Sequence, residues 1–171
     1  MFEQIKEKLP EFAKDTRINL GKVMDLNQTD GLEAQQIVGS ALAVAYHLGN
    51  KELIQSLETE FETEQTLREA AKLAASLMAM TNIYYRFIHL SEQPELNHVP
   101  AGLRMQGMMN PGVDRKTFEV MSLAVSILNG CGACISAHCR NLKEHGFSAQ
   151  ALARIGRITA IIHSTHVGLH L

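Results

Sequence analysis

Cys131 and Cys134, with His138 four positions further on, are the residues whose types and spacing could make and break bonds. They lie in the stretch Glu119 to His145, EVMSLAVSILNGCGACISAHCRNLKEH, after an Asn129-Gly130 break that can end one helix and begin another. Positions i, i+3 and i+7 fall along one helical face, so both sulfurs and the imidazole can share a side. A helix beginning near Gly130 sets free N–H groups and the positive end of its macrodipole beside Cys131, which favours thiolate over thiol. Gly132 and Ala133 are small and leave room for a peroxide or a second disulfide. Such a thiolate can open a peroxide O–O bond to give a sulfenic acid, which its neighbour converts to a disulfide, or it can exchange with a disulfide elsewhere. Both reactions need protons moved, for which His138 and a carboxylate are suited. Glu119, near the start of the preceding helix, is a candidate for that carboxylate if the chain after Asn129-Gly130 returns antiparallel, but spacing alone does not decide whether it reaches the sulfurs.

A metal site is the competing reading of the cysteine pair. One C-x-x-C with a single nearby His and no second pair is incomplete for structural zinc, so the redox reading is preferred. His163, His166 and His170 repeat the i, i+3, i+7 spacing and could bind a metal. The last turns of a helix favour histidines without any metal, because the dipole there is negative. Cys139, next to His138, points about 100° away around the helix and reads as a packed small side chain. Met78, Met80, Met105, Met108 and Met109 read as core filler.

These elements need a scaffold. At 171 residues the chain reads as a single domain. Apolar residues make up 46% and charged residues 20%, enough to fill a core, while aromatics are only 5%. Ala, Leu, Ile and Met carry the apolar content, which suits an all-α fold. A net charge of −2, with no dense Lys/Arg cluster, argues against nucleic acid. The start, MFEQIKEKLPEF, lacks a signal-peptide core, and no apolar run approaches the ~18 residues that span a bilayer. A soluble, cytoplasmic protein is expected, and a reducing compartment makes a structural disulfide framework the wrong reading of its three cysteines.

Apolar residues at 2, 5, 9 and 12 form a short helical stripe broken at Pro10. Asp15 to Asp30 is polar and poorly periodic, with a loop expected at Asn27 to Gly31. Helices are predicted over Leu32 to Leu48, closed at Gly49-Asn50, and over Lys51 to Phe61. A long helix, apolar almost all round and therefore expected to be buried, is predicted over Thr66 to Leu90. Residues 91 to 114 hold Pro94, Pro100 and Pro111 and read as a linker, with a short helix near Leu103 to Met109. Asp114 caps a helix to Leu128, the cysteine stretch is helical to Glu144, and Ser148 caps a last helix. A shift of 50 positions lays Glu69, Leu73, Ala74 and Ser76 on Glu119, Leu123, Ala124 and Ser126. That echo is consistent either with two degenerate helical repeats, at about 50–90 and 100–140, or with coincidence of composition.

Glu119, Cys131-x-x-Cys134 and His138 together resemble the E-x11-C-x-x-C-x3-H signature of the AhpD family of alkylhydroperoxidases, in the carboxymuconolactone decarboxylase-like group. EKLPEFAKDTRINL, MAMTNIYYRF and GLRMQGMMNPGVDRKTFE extend the resemblance over most of the chain. The resemblance implies an all-helical fold, assembled as a homotrimer or a multiple of it. It implies reduction of alkyl hydroperoxides, and of the oxidised cysteines of a peroxiredoxin, the AhpC component of alkyl hydroperoxide reductase. Electrons would come from dihydrolipoamide on a lipoyl-bearing 2-oxoacid dehydrogenase component, with no tightly bound cofactor. On the same resemblance Cys134 is the thiol oxidised to sulfenic acid and joined to the peroxiredoxin in a mixed disulfide. Cys131 is the proton donor and resolving thiol, and Glu119 and His138 form the proton relay. Some members carry a His between the cysteines where this chain has Ala133. A related group without the cysteines decarboxylates a lactone, and Cys131 and Cys134 argue against that activity. A disulfide reductase with no peroxidase activity of its own and a metal-binding protein of the same fold are the alternatives.

Overall fold

The computed structural model describes residues 2–171 and is all-α: among them eight α-helices and three short 3-10 turns occur, with no strand. The helices are α1 (Glu3–Lys8), α2 (Lys14–Val23), α3 (Ala34–Leu48), α4 (Lys51–Glu60), α5 (Gln65–Leu90), α6 (Arg115–Leu128), α7 (Gly132–Glu144) and α8 (Ala149–His170). Helices α3 and α6 form the central pair. Helix α5 packs against both on one side, α8 packs against both on the other, and α7 lies on α6 and α5. The reason is in the sequences. Every residue from Gln36 to Ala45 of α3 is buried, and small side chains there let a neighbour approach. A Cβ on Gly39 would collide with the side chain of Met121 in α6. Hydroxyls in this core bond back to their own helices, Ser40 Oγ to the Gln36 carbonyl at 2.7 Å and Ser122 Oγ to that of Phe118 at 2.9 Å.

Two sequence expectations change. The polar stretch after Asp15 is not wholly irregular: it begins with α2, anchored by buried Leu20 and Val23 and by a 2.6 Å hydrogen bond between Thr16 and Ser164 in α8. Its C-terminal end is held by buried Arg154, which donates to the carbonyls of Val23 at 2.7 Å and Asp25 at 3.1 Å. A cation on another helix thus completes the cap, and no local periodicity reports that. The second correction concerns α5, which is not buried all round. Ile83, Phe87 and Leu90 are 62%, 55% and 68% exposed and share one face near its C-terminal end. The buried part of α5 is instead Leu67 to Asn82.

The 50-position echo lays α5 on α6, two helices that pack side by side. A closer local likeness lies in the turns that join helices. Helix α3 ends on Gly49 (φ 67°) with Asn50 capping α4, and α6 ends through Gly130 (φ 64°) with Cys131 capping α7. In both, a left-handed glycine directs one helix into the next. An L side chain at such a position costs ~1–2 kcal/mol. Gly130→Ala is therefore expected to lower unfolding free energy by about that amount in chemical denaturation, and an unchanged midpoint and slope would show that the turn tolerates a Cβ.

Candidate active site

The cysteines sit where one helix hands over to another. At the end of α6 the Gly130 N–H donates to the Ile127 carbonyl at 3.1 Å and the Cys131 N–H to that of Ser126 at 3.2 Å, a Schellman closure. Cys131 is at once the residue after that closure and the N-cap of α7, its sulfur accepting from the Cys134 N–H at 3.3 Å. Helix α5 fastens the same turn. Asn82 donates through Nδ2 to Ser126 Oγ at 3.0 Å and accepts from Asn129 Nδ2 at 3.1 Å, and Arg86 donates to the Asn129 carbonyl. Asn82 and Ser126 are buried, so these bonds are made away from water, where leaving them unmade costs most.

Cys131 and Cys134 are joined by a disulfide, with Cα atoms 5.3 Å apart, a separation normal for such bridges. Cys131 is 0% exposed, Cys134 8%. His138 is one turn beyond Cys134 on the same face of α7 and is also nearly buried. Its Nδ1 lies 2.7 Å from Glu119 Oε1, so the antiparallel return of α7 along α6 does bring together two residues distant in sequence. Glu119 is conspicuous in α6: from Thr117 to Ser126 it is the one residue that is not buried. A carboxylate bonded to one imidazole nitrogen fixes the tautomer and leaves the other nitrogen for proton transfer.

Two spaces meet at His138. An apolar recess of about 120 Å³ is lined by Cys134 and His138 together with Thr81, Tyr85, Met105 and Met108. A larger cavity of about 530 Å³ is bounded by His138, Glu119, Met105 and Met108 and extends to Arg115 and Lys116. Met108 packs against the core, as expected, but Met105 and Met109 are not among the residues of the core, and all three line this cavity. They line the approach to the site, and Met109 is largely exposed.

A family model described as "Carboxymuconolactone decarboxylase family" matches residues 94–167. An alkyl hydroperoxide reductase AhpD of Coxiella burnetii (strain RSA 493 / Nine Mile phase I) is 46% identical over 165 residues, covering 95% of this chain and 93% of the relative. One from Bradyrhizobium sp. is 44% identical, covering 98% and 92%, and one from Rhizorhabdus wittichii is 39% identical, covering 96% and 98%. The chain belongs to the AhpD family. With that family it is an oxidoreductase.

Within this AhpD-family fold the other sequence candidates lie apart from the cysteines. Cys139 is half-buried, and burial pushes its thiol above the ordinary value. Among the described residues no group of three His, Cys, Asp or Glu side chains could hold a metal, the row His163, His166 and His170 included. No described helix is long and apolar enough to cross a membrane. Sequence reasoning assigned no site role to Asn82, Arg86, Thr81 and Tyr85, although all four lie in MAMTNIYYRF, a stretch that carries the resemblance; their roles come from the approach of α5 to the turn. His166 is placed as a structural group. Asn50 commits Oδ1 to the Leu53 N–H at 3.0 Å and so presents Nδ2 to His166 Nδ1 at 3.1 Å, which requires a neutral acceptor.

Burial, then the charges of His170 and His163, hold His166 below its ordinary value of 6.5. A depressed histidine leaves the unfolded chain taking up the proton first, so stability present above pH 6.5 is lost as pH falls through the folded value. Thermal melts are expected to show that loss on acidification, and a smaller one in His166→Gln. Identical pH slopes for the two proteins would remove His166 as a cause.

Proposed function

We propose that the chain reduces alkyl hydroperoxides through a dithiol–disulfide cycle of Cys131 and Cys134, taking electrons from dihydrolipoamide, and also reduces the oxidised cysteines of a peroxiredoxin, the AhpC component of alkyl hydroperoxide reductase. The observation that carries this reading is that Cys134, bonded to fully buried Cys131, lines an apolar recess beside a histidine held by a carboxylate. Cys134 is the reachable sulfur. As a thiolate it attacks the peroxide: the O–O bond breaks, the alcohol leaves with a proton, and Cys134 becomes a sulfenic acid. Cys131 then condenses with it, forming the S–S bond and releasing water. Dihydrolipoamide attacks Cys134, and Cys131 departs as a thiolate toward the Cys134 N–H and the positive end of α7. The second lipoyl thiol closes to the cyclic disulfide and frees Cys134, with His138 and Glu119 carrying the protons. An oxidised peroxiredoxin would be met at the same sulfur, through a mixed disulfide that Cys131 resolves.

The cytoplasm, where dithiol donors keep such a pair cycling, suits this chemistry. The uncovered Ile83, Phe87 and Leu90 support association of copies, proposed as a homotrimer.

Alkyl hydroperoxide treatment is expected to give a Cys131–Cys134 disulfide by mass spectrometry, reversed by dihydrolipoamide, and Cys134→Ser to abolish turnover of cumene hydroperoxide. An unchanged rate in that variant would eliminate the cycle. Peroxide consumption that needs a peroxiredoxin present would reduce the chain to a disulfide reductase. Glu119→Gln is expected to lower kcat on the order of 10²-fold. A variant with the native kcat would take Glu119 out of the relay.

A further inference from the structure

The 530 Å³ cavity beside His138 combines an apolar lining, including Met105, Met108 and Phe118, with two cations, Arg115 and Lys116. Both cations are exposed, and among the described residues neither forms an ion pair. Glu119 is the only carboxylate lining the cavity, and its Oε1 is engaged by His138. Asp114, the neighbouring acid, accepts from the Thr117 N–H at 3.0 Å as the cap of α6. Neither acid is paired with Arg115 or Lys116 among the described residues. Met105, Met108 and His138 also line the recess at Cys134, so the two spaces adjoin at these three side chains.

Resting on the peroxidase reading, we propose that the preferred substrates are hydroperoxides carrying a carboxylate on a flexible alkyl chain, such as an oxidised fatty acid, and that Arg115 and Lys116 set this preference. The O–O group enters the recess at Cys134, the chain lies along the methionines, whose unbranched side chains adapt to its shape, and the carboxylate meets the cations. A neutral peroxide gains only the apolar part of this contact. Exposed charge pairs contribute modestly and are screened by salt, so a preference of about three- to tenfold in kcat/KM at low ionic strength is expected.

The experiment compares a fatty-acid hydroperoxide, its methyl ester and cumene hydroperoxide, each with dihydrolipoamide as donor. The acid-to-ester ratio should exceed about three, shrink with added salt, and fall to near one in the Arg115→Gln/Lys116→Gln protein, chiefly through KM of the acid. Arg115→Lys, which keeps the charge, should retain most of the ratio and exclude a folding defect. Equal acid and ester rates in the wild type, or a ratio that survives the double substitution, would overturn the proposal while leaving the peroxidase reading intact. No turnover of any of the three would overturn both. Equal acid and ester rates with a variant-sensitive preference for dihydrolipoate over dihydrolipoamide would assign the cations to the reductant instead, and so also overturn it.

Discussion

Gly130 holds a φ of 64°, and the geometry of the cysteine pair follows from that angle. A left-handed residue at this point lets its own N–H and that of Cys131 close the end of α6 and turns the chain so that α7 begins at once. Cys131 then has no helical backbone position of its own. It caps α7 with its sulfur, while Cys134 sits in the first turn and His138 one turn further on the same face. Because α7 returns along α6, that face meets Glu119, and the hydrogen bond to His138 forms without a long loop to order. The Cys134 N–H, in the first turn of α7, donates to the buried sulfur of Cys131. In the proposed cycle that contact would stabilise Cys131 as a leaving thiolate when Cys134 is attacked.

The same turn occurs where α3 passes into α4, with Asn50 in the place Cys131 has. There the capping amide reaches His166 and helps hold α8 to the scaffold. One backbone solution thus serves packing in one hairpin and forms the candidate site in the other, the difference being whether an amide or a thiol stands at the N-cap. Around the reactive turn the support is polar and buried. Asn82, Ser126 and Asn129 form a chain of hydrogen bonds from α5 that fixes the loop before Cys131. For the proposed dithiol cycle such rigidity would help bring both sulfurs within bonding distance at each turnover.

Residue order alone was enough for the all-α class, for the helices from α3 onward to within a few residues, and for the shared face of Cys134 and His138. Each of these rests on local information: apolar periodicity, Asp114 and Ser148 as caps, and glycines at the helix ends. Relations between distant segments were settled by packing. Helix α2 packs on α8, where Ser164 pairs with Thr16 and Arg154 closes its end, and neither contact shows in residues 14–23 alone. The exposed stripe of α5 reads in sequence as core, since exposure depends on what packs against it. Met105 and Met108 read as filler until the segment after α5 lays them over Cys134. The 2.7 Å contact of Glu119 with His138 likewise depends on how α7 lies on α6, a long-range packing result that residue spacing leaves open.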